Sequence, residues 1–236
     1  LLAAAGLHEL ADVPVPALSG GQAAHVALVR ALAAQPAVLI VDEPLAAVDV
    51  KSAERWRRFL HAARADRTTL LVTHDALDIA HLAQNILVME SGQVRAHGAT
   101  ARLLEAPPTG FVAALAGLNR LEGTVTEIGA SAVEVACGDI TVLAATKHAS
   151  LAPGQKVAVT FDPHAATIGA GPEACNQWAA RVLAVEATSL AAAQLRVELG
   201  GQEATVPVDR EFALGVAVGN IVSLTVSKAN VFVHPN

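Results

Sequence analysis

The feature that most constrains this chain is a change of hydrophobic period near Leu118. Before it, apolar residues recur at helical spacing or in short unbroken runs. After it, short alternating runs are separated by glycine-containing turns. The first pattern predicts an α/β part over residues 1–117, and the second predicts a small β-barrel behind it. Composition gives both parts a core, with 53% hydrophobic and 16% charged residues among 236. Much of that apolar count is alanine, which buries little surface per residue. A net charge of −6 argues against a general nucleic-acid binder. The longest apolar runs are broken by Arg30, Pro36 or Asp42, well short of a membrane span. Cys137 and Cys175 lie far apart without metal-ligand spacing and read as reduced thiols of a cytosolic protein.

The chain opens Leu1-Leu2-Ala3, with neither methionine nor a secretory signal, and is expected to begin inside a longer polypeptide. Residues 1–13 read as the end of a helix with Leu1, Leu2, Ala5 and Leu10 on its apolar face. Pro14 and Pro16 keep the chain extended just before them. Leu18-Ser19-Gly20-Gly21-Gln22 follows, and then a helical pattern with Val26, Val29 and Ala33 on one side until Pro36. Ser19 falls at the helix N-cap. The two glycines allow a ligand close to the backbone. Free N–H groups and the positive end of the helix dipole make an anion site there. A bare Ser-Gly-Gly reads first as an ordinary capped helix start, so the downstream segments decide.

Ala37 to Val41 is a continuous apolar run, which fits a strand buried on both faces of a parallel sheet. Asp42 and Glu43 sit at its C-terminal end, where open α/β sheets place ligands. Two adjacent carboxylates at the mouth of a buried strand are costly without a task; the bland alternative is a strand that turns on Asp-Glu-Pro. Asp49 can cap the next helix, residues 51–64, whose apolar face carries Trp56, Phe59, Leu60 and Ala63. Arg55, Arg57, Arg58 and Arg64 read as its solvated face. Residues 68–72 form the next buried strand, with His74 just beyond its end and Asp75 capping a helix to Leu82. Residues 85–90 and 93–96 flank Ser91-Gly92 as a hairpin. Two short helices, 99–105 and 111–117, lie either side of Pro107-Pro108.

Taken in order, Leu18-Ser19-Gly20-Gly21-Gln22, the strand ending Asp42-Glu43-Pro44, and Thr73-His74-Asp75 resemble three motifs of ATP-binding cassette (ABC) ATPases. These are the signature, the Walker B motif and the switch histidine. Leu45-Ala46-Ala47-Val48-Asp49 resembles the D-loop of the same family, with Val48 where leucine is usual. The likeness covers residues 1–117, about the second half of an ATPase core. It implies the P-loop NTPase fold and a dimer holding two ATP molecules head to tail. In that picture Ser19, Gly20 and Gly21 take the γ-phosphate of an ATP held by the opposite protomer, and Gln22 helps close the contact. Asp42 serves Mg2+, Glu43 acts as base, His74 orients the attacking water, and Asp49 couples the two sites.

The chain also departs from the family. Ala24-His25 stands where members often read Gln-Arg, so the arginine that braces the signature helix is lost. No G-x-x-x-x-G-K-[ST] phosphate loop and no Q-loop occurs in the 236 residues. Without that cradle the β- and γ-phosphates lack their primary site, and the chain alone is expected not to hydrolyse ATP.

Beyond Leu118 lies a weak internal repeat. Val125 to Ile128 matches Val182 to Val185, Val133 to Val135 matches Leu195 to Val197, and Gly154 to Val159 matches Gly219 to Leu224. Each copy closes with a similar apolar strand, Ala166-Thr167-Ile168 and Val231-Phe232-Val233. The copies are read as 118–171 and 172–236, joined at Ala170 to Pro172. The pair resembles the OB-like (TOBE/Mop) C-terminal domain of importer ATPases, closest to the molybdate and sulfate types. The residues that carry this are Gly110-Phe111-Val112-Ala113, Asn119 to Val125 and Val226 to Val231. The resemblance implies the ATPase of an importer for molybdate or a related oxyanion; sulfate, iron, polyamine or sugar are the alternative cargoes. It implies a second ATPase subunit, a transmembrane permease and a solute-binding protein as partners, an oxyanion ligand at the C-terminal domain, and a peripheral position on the cytoplasmic face of the inner membrane. A rival reading makes the chain a catalytically inactive, oxyanion-binding regulatory module.

Overall fold

The computed structural model describes residues 1–46, 48–65, 67–145, 151–169 and 175–235. They fall into two compact units, Leu1–Ala101 and Arg102–Asn236.

The first unit opens on a single helical turn, not on a helix reaching residue 13. Gly6 adopts φ 71, and the Leu7 and Gly6 amides donate to the Leu2 and Ala3 carbonyls. That pair of bonds, with glycine in the left-handed region, is how a helix terminates. Helix α1 spans Gly20–Ala33. Its buried side is His25, Leu28, Val29 and Leu32, so the inward stripe lies one position from the Val26–Val29–Ala33 reading. Strand β1 (Val38–Asp42), helix α2 (Val50–Ala63) and strand β2 (Thr68–Val72) follow. The two strands pair in parallel, Val38 opposite Thr68 through Asp42 opposite Val72. Leu39 joins Leu28, Leu32, Leu45, Trp56 and Leu60 in one core. The other face is not buried as the apolar run predicts: Val38, Ile40, Leu70 and Val72 are each at least half exposed. Helix α3 (Ala76–Leu82) precedes the hairpin β3 (Asn85–Glu90) and β4 (Gln93–Ala99). Ser91 and Gly92 both take positive φ at its tip, the geometry of a two-residue hairpin turn.

Helices α4 (Thr100–Glu105) and α5 (Gly110–Leu115) lead into the β-rich unit. The strands of its first sheet are β5 (Asn119–Ile128), β6 (Ala132–Cys137), β7 (Ile140–Ala145) and β8 (Lys156–Phe161). After β9 (Ala166–Ile168) come β10 (Cys175–Ala187), β11 (Ala192–Leu199) and β12 (Gln202–Asp209). A short helix α6 (Arg210–Leu214), β13 (Ile221–Ser227) and β14 (Val231–Pro235) complete the unit. The expected joint at Ala170 to Pro172 lies outside the described residues.

The two sheets run β14-β8-β5-β6-β7 and β12-β11-β10-β13-β9. The repeat read from the sequence is thus real in space, but its closing strands are exchanged. β9 of the first copy pairs with β13 of the second, and β14 of the second pairs with β8 of the first. Even the irregularities match: β5 bulges between Val125 and Glu127, and β10 between Val182 and Ala184. Two asparagines lock the copies reciprocally. The Asn119 side chain bonds both backbone groups of Thr205 on β12, at 2.8 and 2.7 Å. Asn176 does the same to Leu143 on β7, at 2.8 and 2.6 Å. The hairpin tips at Gly138 and Gly200 touch so closely that a Cβ on either would strike the other turn's backbone. A single core drawn from both sheets results, including Val159, Phe161, Leu195 and Leu224. The α/β segment followed by an all-β, OB-like pair is therefore the fold.

Candidate functional site

Parallel pairing of β1 and β2 brings their C-terminal ends side by side. The Glu43 amide donates to the Val72 carbonyl at 2.9 Å, continuing the ladder by one residue. Glu43 adopts φ 44, a left-handed conformation that costs about 1–3 kcal/mol in a non-glycine residue. That bend turns its side chain toward the end of β2. There His74 Nδ1 lies 2.6 Å from Glu43 Oε1. The hydrogen bond and charge of Glu43 raise His74 above its ordinary value of 6.5. Only Oε1 is engaged in this contact; the His74 side chain is 77% exposed and that of Glu43 35%. Asp42 is exposed one residue earlier on β1.

The loop carrying His74 is held from behind by the Asp75 cap, as expected, and by Arg57, which the sequence reading placed on a solvated face. Asp75 caps α3 through the Asp78 amide at 2.9 Å. Asp78 is 2% exposed, and Arg57 on α2 donates to it at 2.5 Å and to Asp75 at 3.3 Å. Thr73 Oγ1 accepts from the Asp75 amide and donates to Asp78. Arg57, with its side chain 11% exposed, therefore belongs to a buried ion pair and not to a solvated face. Arg64 likewise bonds the Leu82 carbonyl. An arginine three residues from Glu54 on a helix gives no sign in sequence of a partner two elements away.

Ser19 is the N-cap of α1, as its position predicts. Its hydroxyl accepts from the Gln22 amide at 3.3 Å, and Gln22 Oε1 accepts from the Ser19 amide at 2.9 Å. This reciprocal box fixes the turn around Gly20 and Gly21. Asp49 caps α2 through the Ser52 amide at 3.1 Å, and Ser52 holds its carboxyl below the ordinary range. Among the described residues, no hydrogen bond or ion pair joins Ser19–Gln22 to Asp42, Glu43, Asp49 or His74. Glu43 and His74 are thus brought together, while Ser19–Gln22 and Asp49 are presented separately at two helix starts. No group of three metal-ligating side chains occurs among the described residues, and no helix among them is long and apolar enough to cross a membrane.

Residues 1–46 match the family model for ABC transporters, and residues 172–233 match the TOBE domain. The sulfate/thiosulfate import ATP-binding protein CysA 1 of Chromobacterium violaceum is 37% identical over 235 residues, covering 96% of this chain and 63% of that protein. The molybdenum import ATP-binding protein ModC of Mycobacterium tuberculosis is 45% identical over 119 residues, covering 50% of this chain and 32% of that protein. The chain therefore spans less than two thirds of the length of these relatives. A solved structure of the cytoplasmic molybdate-binding protein ModG aligns over 50% of this chain and 96% of that one, with 24% identity and a TM-score of 0.44.

Proposed function

From a chain that carries an ABC transporter ATPase segment and a TOBE domain, we propose that it forms the C-terminal part of the ATP-hydrolysing subunit of an importer. The observation that carries this is the Glu43–His74 pair at the adjoining ends of two parallel strands, with Glu43 bent into φ 44 to make it. In this reading Glu43 takes a proton from the attacking water. His74 engages one carboxylate oxygen and so fixes the orientation of the other. Ser19, Gly20 and Gly21 offer the first amides of α1 to the γ-phosphate of an ATP held by a second subunit, with Gln22 keeping that turn rigid. Asp49 joins the two sites from the start of α2. Mg2+ takes one or two carboxylates and leaves its other positions to phosphates and water; the exposed Asp42 carboxylate suits that donor set. When bound, the ion would neutralise phosphate charge.

Molybdate or a related oxyanion is the favoured cargo and sulfate the nearest alternative. A transmembrane permease and a solute-binding protein are the expected partners, at the cytoplasmic face of the inner membrane. The test joins this chain to the part of the sulfate/thiosulfate relative that it does not span. The joined protein should hydrolyse ATP, and Glu43→Gln should lower turnover by about 10²–10⁴. Turnover that survives Glu43→Gln would remove the proposed base. The rival reading, an inactive oxyanion-binding module, predicts no turnover in the joined protein and calorimetric binding of molybdate, tungstate or sulfate by the 236-residue chain.

A further inference from the structure

Position 25 raises a question that the helix caps do not answer. His25 lies on α1, six residues beyond Ser19, and is only 8% exposed. Its ring stacks on Trp56 of α2 with centroids 4.1 Å apart and planes 22° apart. Trp56 is fully buried and meets Phe59 edge-on at 5.3 Å. The stack therefore lies in the first unit's core, between the two helices whose starts present Ser19–Gln22 and Asp49. His25 Nε2 is buried with no hydrogen-bond partner. As the neutral imidazole, with its proton on Nδ1, that nitrogen is a bare acceptor. Protonation would place an N–H there with no oxygen to receive it. The surroundings agree with the neutral form. Burial and the Arg55 charge both lower His25 from 6.5. On the elements packed around it (the N-terminal turn, α1, β1 and α2), Arg55 is the charged group whose field reaches the ring.

We propose that His25 is a positioning residue: stacked on Trp56 as a neutral ring, it fixes α1 against α2 and so sets the spacing between the Ser19–Gln22 turn and the Asp49 cap. This rests on the proposed reading of those two helix starts as the parts that meet nucleotide. The brace expected from an arginine at this position is supplied instead by a ring that loses its fit when it gains a proton.

Hydrogen exchange of the 236-residue chain tests it without nucleotide. After correction for intrinsic exchange, amides of α1 should exchange about tenfold faster at about pH 5 than at about pH 7.5. His25→Phe keeps a flat ring that cannot titrate, so its α1 protection should stay constant over the same range. His25→Ala should lose protection at both pH values. Protection of α1 that is independent of pH in the wild type, or equally dependent in His25→Phe, would overturn the proposal. A proton NMR titration of the His25 ring provides the second readout, with a midpoint below 6.5 expected and one above it fatal. In the joined ATPase, His25→Phe should move the acid limb of the kcat profile to lower pH, leaving the limb that protonation of the Glu43 base imposes. If exchange behaves as expected and that limb is unchanged, the reading of the helix starts fails and not the stack.

Discussion

The strands of the two units meet their neighbours in opposite ways. In the first unit, β1 and β2 stand as a two-stranded parallel pair. One face carries Leu39 into a core of helices, while Ile40 and Leu70, opposite each other in register, remain 67% and 55% exposed. Parallel sheets are ordinarily covered on both faces because their crossover connections lay helices there. In the second unit every copy contributes a closing strand to the other copy's sheet, and the central residues Leu195 and Leu224 have no exposure at all. The β-rich unit draws its partners from its own repeat. The α/β unit sets the Glu43–His74 contact on a sheet with a bare side.

The strongest way to break this contrast is to remove one exchanged strand. Ending the chain at Asn230 deletes β14, with Val231 1% and Val233 3% exposed, and uncovers the edge of β8. Loss should exceed about 5 kcal/mol, the low end of a whole domain's stability, so the β-rich unit should lose its cooperative unfolding transition by circular dichroism. A shortened chain with an unchanged transition would show that the exchange is not what closes the unit.

Single core substitutions sharpen the contrast. Leu224→Ala on β13 should cost about 2–5 kcal/mol in denaturant unfolding. Ile40→Ala on the bare face of β1 should stay within about 0.5 kcal/mol. Equal costs would mean that the exposed face of β1 is covered in solution.

The reciprocal asparagines come next in size. Asn119→Ala and Asn176→Ala each leave a backbone N–H and C=O without a side-chain partner, on Thr205 and Leu143. Each should cost about 1–3 kcal/mol. Because the two clamps are related by the repeat, their costs should agree within about 0.5 kcal/mol; a large inequality would show that one copy dominates the unit.

The sequence revealed local features and hid partners. The strands β5, β6 and β8, the Ser19 and Asp75 caps and the Ser91-Gly92 turn are written in neighbouring residues and stand where expected. The exchange was invisible because Ala166-Thr167-Ile168 specifies a strand but not which edge receives it. The buried Arg57–Asp78 pair was hidden for the same reason, since each residue alone suits a helix surface. His25 read as a loss of bracing because its stack on Trp56 depends on the meeting of two helices 31 positions apart. The order of Ser19–Gln22, Asp42-Glu43 and His74 marked the candidate site, since each sits at the end or start of an element legible by itself.

The smallest effect expected falls on the bare unit's exposed pair. Glu43 raises His74 in the folded chain, so the pair contributes stability that is complete below 6.5 and is lost as pH rises through the raised value. His25, lowered on folding, has the opposite sign: its contribution is complete above 6.5 and is lost as pH falls. Glu43→Gln removes the charge that raises His74 and should move its NMR titration midpoint downward over about pH 5 to 9. It should leave the His25 midpoint in place, because Glu43 is not among the groups that shift it. The His74 shift should shrink in high salt, since its side chain is 77% exposed and exposed charges are screened. A His74 midpoint unmoved by Glu43→Gln would separate the two residues in solution. The case for a catalytic pair would then fall back on motif order alone, while the β-rich unit, which contains neither histidine, would be untouched.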